Sequence, residues 1–183
     1  GLRPGLARHW EAIEALQGQE AFSCAQIAWL FEQCSRLPFL DASRHRARDT
    51  SGAVLPLGTR VVQLFSNFVC ERIPELEPGQ ITTFILALTS TALPMDEFWL
   101  YMLAKQVQDT AAAFSAEQVA AIARRYADKQ LEDDEFFGAL AVRATASPRD
   151  FSPAQLAHLL LSCAKIRYLD EDLCSAALPA FED

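Results

Sequence analysis

FSPAQL, at residues 151–156, is one of four related strings that recur along the chain and decide its fold. The other three are FSCAQI at 22–27, LEPGQI at 76–81 and FSAEQV at 114–119. Their glutamines, at positions 26, 80, 118 and 155, are 54, 38 and 37 residues apart, so that the last two intervals agree within one residue. A fixed period in this range is typical of helical-repeat proteins, which bind partners along extended surfaces more often than they catalyse reactions.

Each string predicts the start of a helix. Ser152 stands where an N-cap is expected and Gln155 follows three residues later, which is the spacing of a capping box, in which each side chain satisfies the other residue's backbone N–H. Phe151 and Leu156 flank this box at the spacing of a hydrophobic staple. The second string has Glu77 in place of the serine, and we expect its cap to be weaker by about 1 kcal/mol.

Two helices are predicted in each repeat. After each glutamine, apolar residues recur at the i, i+3, i+4, i+7 spacing of one buried helical face. The second helix is predicted to begin at an acidic cluster, such as residues 132–135 or 170–172, because carboxylates in a first turn complement the helix dipole. The sequence therefore predicts an all-α, right-handed solenoid of two-helix repeats of about 37 residues.

The predicted boundaries lie within one helical-repeat domain, residues 1–183. It contains a half repeat at 1–21 and repeats at 22–75, 76–113, 114–150 and 151–183. Residues 41–58 are an insertion in the first repeat without obvious secondary structure, and a loop of that length is usually functional or disordered. The chain begins with Gly1, so we expect it to be processed or truncated. Neither end has a polar capping repeat, so we expect the chain to be part of a longer array or of an assembly.

Charge and cysteine content limit the classes of function. The net charge of −8 argues against a surface covered with cations for binding phosphates. The five cysteines include no Cys-x-x-Cys pair, and we interpret them as small apolar residues of a protein in a reducing compartment. No run of about 18 apolar residues is found, so no membrane insertion is expected.

No motif for catalysis or for binding a cofactor or metal stands out. Gly-rich phosphate loops, Gly-x-Ser-x-Gly elbows and His-Glu-x-x-His pairs are missing from the sequence, so we expect no enzyme activity, no cofactor and no metal. The candidate contacts to RNA or a partner are clustered basic residues and the variable position three after each glutamine: Arg44, Arg46, Arg48, Arg124, Arg125, Lys165, Trp29 and His158. Each of these also fits ordinary solvated surface.

The stretch at 151–173, FSPAQLAHLLLSCAKIRYLDEDL, resembles the heptatricopeptide and octotricopeptide class of helical repeats. The shared pattern is Phe-Ser-Pro-x-x-Leu-x-x-Leu-Leu-x-x-x-Ala-Lys, followed by Asp-x-x-Leu. The resemblance loosens toward the N-terminus and covers most of residues 22–183. Such repeats are similar to those that precede the RAP domain in FAST-kinase-like organellar proteins. The resemblance implies a mitochondrial or plastid protein of RNA stability, processing, editing or the organellar ribosome, and no RAP domain is visible in this sequence.

Taken with the resemblance, the sequence predicts a non-catalytic scaffold subunit of a mitochondrial RNA–protein assembly, located in the matrix. It would hold other protein subunits of a large assembly and contact RNA locally. One alternative is a module that itself binds single-stranded RNA along its groove. A second alternative is a scaffold subunit of an organellar complex without RNA.

Overall fold

The computed structural model describes residues 23–36, 46–48, 54–56, 59, 62–63, 70–90 and 97–182. Within these ranges the chain is helical apart from one short ribbon, which confirms the predicted all-α class. The seven α-helices found there are α1 (Cys24–Ser35), α2 (Pro78–Leu88), α3 (Glu97–Thr110), α4 (Ala116–Asp128), α5 (Asp134–Ala146), α6 (Pro153–Lys165) and α7 (Glu171–Ala177). Four 3-10 turns join or extend them: Cys70–Glu75, Ala111–Ala113, Pro148–Asp150 and Leu178–Phe181.

A two-stranded ribbon lies in the predicted insertion. Strand β1 (Arg46–Arg48) pairs antiparallel with β2 (Val54–Pro56), and Ala47 lies opposite Leu55. The interpretation of 41–58 as a segment without secondary structure is therefore wrong for these two strands.

The predicted capping boxes are present at α1, α4 and α6. In α6 the Ser152 N–H donates to Gln155 Oε1 at 2.8 Å, and the Gln155 N–H donates to Ser152 Oγ at 3.3 Å. The boxes of α1 and α4 repeat this arrangement at 2.9 and 3.3 Å. At α2 the glutamine half is retained, because the Glu77 N–H donates to Gln80 Oε1 at 3.1 Å. The string that recurs in the sequence thus sets the same local geometry at α1, α4 and α6, and half of it at α2.

The ends of α4 and α6 also match. Each is followed by a residue with positive φ, Gln130 at 54° and Arg167 at 61°. In both cases the N–H of the next residue donates to the carbonyl five residues back, at 3.0 and 2.9 Å, which is the long bond of a Schellman motif. Glycine is the usual residue at this left-handed position, so both side chains are held there at a conformational cost.

Packing arranges the helices in two rows. In the first-helix row, α1, α2, α4 and α6 contact one another in succession, and in the second-helix row α3, α5 and α7 do the same. The pairs α2 and α3, α4 and α5, and α6 and α7 connect the rows. One cluster of buried apolar residues runs through both rows, from Ile27 in α1 to Ala177 in α7.

Buried aromatic and polar contacts join successive helix pairs. Tyr126 of α4 stacks on Phe136 with ring centroids 4.1 Å apart, and its hydroxyl donates to the Leu100 carbonyl of α3 at 2.6 Å. Arg143 of α5 donates through Nε to the Phe114 carbonyl at 3.1 Å, and its guanidinium lies 5.5 Å from the ring centre of Phe151. These side chains fix how one helix pair sits on the next.

Candidate binding surface on the first-helix row

A depression with a cavity volume of about 440 Å³ crosses the first-helix row where α2, α4 and α6 lie side by side. Its lining residues come from all three helices: Leu86, Glu117, Ala120, Ala121, Arg124, Arg125, Asp128, Gln155 and His158. The α4 residues fall mainly at spacings of three and four, on the side of the helix away from the buried Val119, Ile122 and Tyr126. The depression therefore combines residues from three consecutive helix pairs, most of them from α4.

Asp128 lines the depression and forms ion pairs with two cations. Lys165 Nζ at the end of α6 donates to Asp128 Oδ1 at 2.5 Å, and Arg124 Nε lies 3.7 Å from Oδ2. The hydrogen bond from Lys165 and the nearby positive charges hold the pKa of the Asp128 carboxyl below its ordinary value, against the opposing effect of partial burial. Two of the predicted basic contacts, Lys165 and Arg124, are thus already paired with a carboxylate of the same surface.

The charges at the depression are nearly balanced. Its lining carries two cations, Arg124 and Arg125, and two carboxylates, Glu117 and Asp128, and Lys165 adds one positive charge beside Asp128, so that cations exceed carboxylates by only one. Arg125 is exposed and has no ion pair with another described residue. Because affinity for nucleic acid depends on an excess of cations that neutralise phosphates, this surface is poorly suited to follow an RNA backbone.

The structure brings together half of the predicted contact residues. Arg124, Arg125 and His158 line the depression, and Lys165 reaches it through Asp128. Trp29 lies on α1 in the same row and its side chain is 59% exposed.

The remaining predicted contacts lie in the insertion. Arg46 and Arg48 are on strand β1, where only the backbone is described. Arg44 lies outside the described residues. The role of these three arginines stays a prediction.

Sequence reasoning missed several residues of the depression. Leu86, Glu117 and Asp128 were not singled out, although Asp128 and Lys165 both lie ten residues after their glutamine. An offset of ten places a residue on the same helical face as an offset of three, which is the variable position. This shared spacing is the signal that could have found the Asp128–Lys165 pair.

The acidic clusters begin the second helices, as the sequence indicates. The Phe136 N–H donates to Asp133 Oδ1 at 2.9 Å, and the Leu173 N–H donates to Asp170 Oδ1 at 2.7 Å. Both carboxylates are N-caps, which explains why an acidic residue recurs at this position. Across the part of the chain that the structure describes, no group of three or more His, Cys, Asp or Glu side chains could hold a metal ion.

Two buried cysteines pack in the core as small apolar residues. Cys34 of α1 and Cys163 of α6 lie eight residues after their glutamines and are both buried. Burial raises the pKa of the Cys34 thiol to about 11 and that of the Cys163 thiol to about 12. A thiol that stays protonated is a poor nucleophile, so neither group is suited to catalysis.

No protein-family model matches this chain, and no curated protein matches it. Among the helices of the described ranges, none has the length and apolar character needed to cross a bilayer. The likeness of residues 151–173 to heptatricopeptide and octotricopeptide repeats therefore stays a prediction from the sequence.

Proposed function

We propose that the chain is a right-handed solenoid of two-helix repeats of about 37 residues. Three features support this arrangement. Caps and helix ends recur at matching positions in successive helix pairs. Each row is built by contacts between consecutive members. The core is a single cluster that continues from pair to pair. In such an array each repeat buries its apolar faces only by stacking on its neighbours.

We further propose that this solenoid is a non-catalytic scaffold that holds protein subunits on its first-helix row. The observation that carries the proposal is the depression across α2, α4 and α6, whose lining combines the apolar residues Leu86, Ala120 and Ala121 with cations and carboxylates in nearly equal number. A protein segment offers both apolar and charged groups of either sign, so it matches this surface better than a polyanion does.

The assembly that we propose is a mitochondrial RNA–protein complex in the matrix, concerned with RNA processing, editing or the mitochondrial ribosome. This part rests on the resemblance of residues 151–173 to repeats of organellar RNA metabolism. A scaffold in an organellar complex without RNA would use the same surface, and the composition of the purified complex separates the two.

A direct single-stranded RNA-binding module is the second candidate. It is favoured by Arg125 and His158, which line one depression and are both exposed. A guanidinium can bind a phosphate and an imidazole can stack on a base. The carboxylates of Glu117 and Asp128 in the same depression oppose such binding.

One titration separates the two candidates. The isolated chain is mixed with fluorescent oligouridylate between about 50 and 200 mM salt, a range over which phosphate contacts lose affinity steeply. The scaffold proposal expects feeble binding near physiological salt, and expects Arg44, Arg46 and Arg48 changed together to alanine to remove most of it. Tight, salt-resistant binding that survives this triple substitution would establish the RNA-binding candidate instead.

Protein attachment is tested on the tagged chain purified from mitochondria after ribonuclease treatment. Leu86→Glu combined with Arg125→Glu should release protein subunits, because it introduces two carboxylates into the depression. Arg149→Glu, in the exposed Pro148–Asp150 turn, is the matched control and should release none. An identical set of subunits on both variants would contradict the assignment of the depression.

A further inference from the structure

The depression on the first-helix row has two ends that differ in charge. Lys165 at the end of α6 pairs with Asp128 at the end of α4, and the two helices pack along one another, so they run in the same direction. One end of the depression therefore lies at the first turn of α4 and the other end at its last turn. The position of each charged lining residue along α4 or α6 assigns it to one of these ends.

The end at the last turn of α4 is positive. Three cations lie there, Arg124, Arg125 and Lys165, against the one lining carboxylate of Asp128, which leaves an excess of two positive charges. Arg125 is exposed and forms no ion pair with another described residue. This end can therefore accept a carboxylate from a partner.

The end at the first turn of α4 is negative. Glu117 is exposed there, and its neighbours in the lining, Ala120, Ala121 and Gln155, carry no charge. Within the described part of the chain, no cation forms an ion pair with Glu117. Glu117 and Arg125 are eight residues apart, so about 12 Å of the helix axis separates them. The depression thus has a free carboxylate at one end, a free cation at the other and apolar residues between.

We propose that the depression binds an extended segment of a protein partner in which a cation and a carboxylate flank an apolar side chain. This inference rests on the proposed scaffold function and names the chemistry of the partner. The cation pairs with Glu117, the carboxylate pairs with Arg125, and the apolar side chain contacts Ala121. In an extended chain, residues i, i+2 and i+4 lie on one face, and i and i+4 are about 13 Å apart, which matches the separation of the two ends.

The size of the depression favours an extended segment over a helix. Its volume is about 440 Å³. A helix about 10 Å wide and 12 Å long occupies roughly 900 Å³, which is about twice the available space. Alternate side chains of an extended segment can enter the depression while the main chain stays outside. RNA would offer phosphates to Arg125 but no cation to Glu117, so it matches only one of the two ends.

Two short peptides test this charge pattern on the full chain. They are Lys-Ser-Leu-Ser-Glu and Glu-Ser-Leu-Ser-Glu, each acetylated and amidated so that only side chains carry charge. Binding is followed through the backbone amide signals of the isotope-labelled chain in NMR spectra, which report weak contacts residue by residue. The mixed-charge peptide should bind at least about threefold more tightly, because it complements both ends. The signals that move should centre on Ala120, Ala121 and Arg125.

Charge reversal at either end of the depression supplies the controls. Glu117→Lys should reverse the order of the two peptides, because both ends are then positive. Glu135→Lys is its matched control and should keep the original order, since Glu135 is exposed in the first turn of α5, on the second-helix row. Both variants have the same net charge, so a general effect of charge would appear in both. Arg125→Glu should weaken binding of the mixed-charge peptide at least about threefold, whereas Arg149→Glu should not.

The proposal is overturned if neither peptide moves the α4 signals at millimolar concentration, if both bind equally, or if Glu117→Lys and Glu135→Lys change their order alike. Larger changes in the same signals with oligouridylate than with either peptide would overturn it in favour of RNA. Failure of the scaffold function is visible separately. Subunits that stay on the Leu86→Glu, Arg125→Glu variant refute the scaffold, whereas peptides that bind without a charge preference refute only this partner chemistry.

Discussion

Residues 114–150 and 151–182 form two helix pairs with the same local geometry and different surroundings. Both begin with a Ser-x-x-Gln capping box, end the first helix with a positive-φ residue and start the second helix on an aspartate. The earlier pair has Phe137 and Ala141 fully buried, whereas the later pair has the equivalent Cys174 and Leu178 exposed. The sequence of each pair thus determines its local geometry, while the burial of Phe137 and Ala141 depends on the helix pair that packs against them.

The largest expected difference between the two pairs is at positions 137 and 174. Phe137→Ala should lower the free energy of unfolding by about 3–5 kcal/mol, because it removes a fully buried ring and leaves a cavity. Cys174→Ala should change it by less than about 0.5 kcal/mol, as expected for an exposed site. Urea denaturation followed by circular dichroism measures both. Similar losses for the two variants would show that the last pair is covered in the isolated chain.

Arg143 lies at the interface between the two helix pairs, so its substitution measures how much that interface contributes to stability. Arg143→Ala should cost about 1.5–2 kcal/mol, because it removes the hydrogen bond to the Phe114 carbonyl and the stacking on Phe151. Asp150→Asn removes only an ion pair with a partly exposed carboxylate and should cost less than about 1 kcal/mol. Thermal melts of the two variants give the comparison. An equal loss of stability from Asp150→Asn would show that the ion pair, and not the contacts with Phe114 and Phe151, stabilises the interface.

The capping boxes of α4 and α6 should contribute equally to the stability of the protein. Ser115→Ala and Ser152→Ala should each lower stability by about 1 kcal/mol, because each leaves a backbone N–H of the first turn without its acceptor. Glu77→Ser at the start of α2 should be neutral or stabilising. An unchanged melting midpoint for either alanine variant would count against the capping box as a source of stability.

Substitutions at the C-terminal ends of α4 and α6 should raise stability, whereas those at the caps lower it. Gln130→Gly and Arg167→Gly should each raise stability by about 0.5 kcal/mol, because glycine adopts positive φ without the steric cost that other residues bear. Lys129→Gly is the control, since Lys129 has a φ of −94° and glycine there should destabilise. If all three glycines destabilise, the left-handed geometry is not retained in solution.

The smallest expected effect belongs to the Asp128–Lys165 pair. Asp128→Asn should cost no more than about 0.5 kcal/mol near neutral pH, because both side chains are partly exposed to solvent, which screens the ion pair. The pKa of Asp128 is lowered in the folded chain, so its contribution is present above the ordinary carboxyl pKa and disappears as the pH falls through the lowered value. Melting curves of the two proteins should therefore converge in acid, and a gap that persists there would exclude the ion pair as its cause.

Local features of the fold could be predicted from the sequence, and features that depend on distant partners could not. Ser152 and Gln155 lie three residues apart, so their reciprocal hydrogen bonds follow from spacing alone. The β1–β2 ribbon was missed because each strand has only three residues, too few for an alternating pattern to show. Of the candidate site, the exposed cations were found, but the pairing of Lys165 with Asp128 required knowing that α4 and α6 are adjacent.

Two of the three tryptophans, Trp29 and Trp99, lie in opposite environments, so a Trp10→Phe variant of the chain carries its own optical probe. Trp99 is 1% exposed, packs near the rings of Phe31 and Phe84, and donates its indole N–H to Cys70 Sγ at 3.0 Å. Trp29 is 59% exposed on the first-helix row. A dissolved quencher such as acrylamide should reach Trp29 and leave the emission of Trp99 unchanged, while unfolding should separate Trp99 from the sulfur beside it. Emission from the two indoles then distinguishes a ligand arriving on the row from the opening of the aromatic core beneath it.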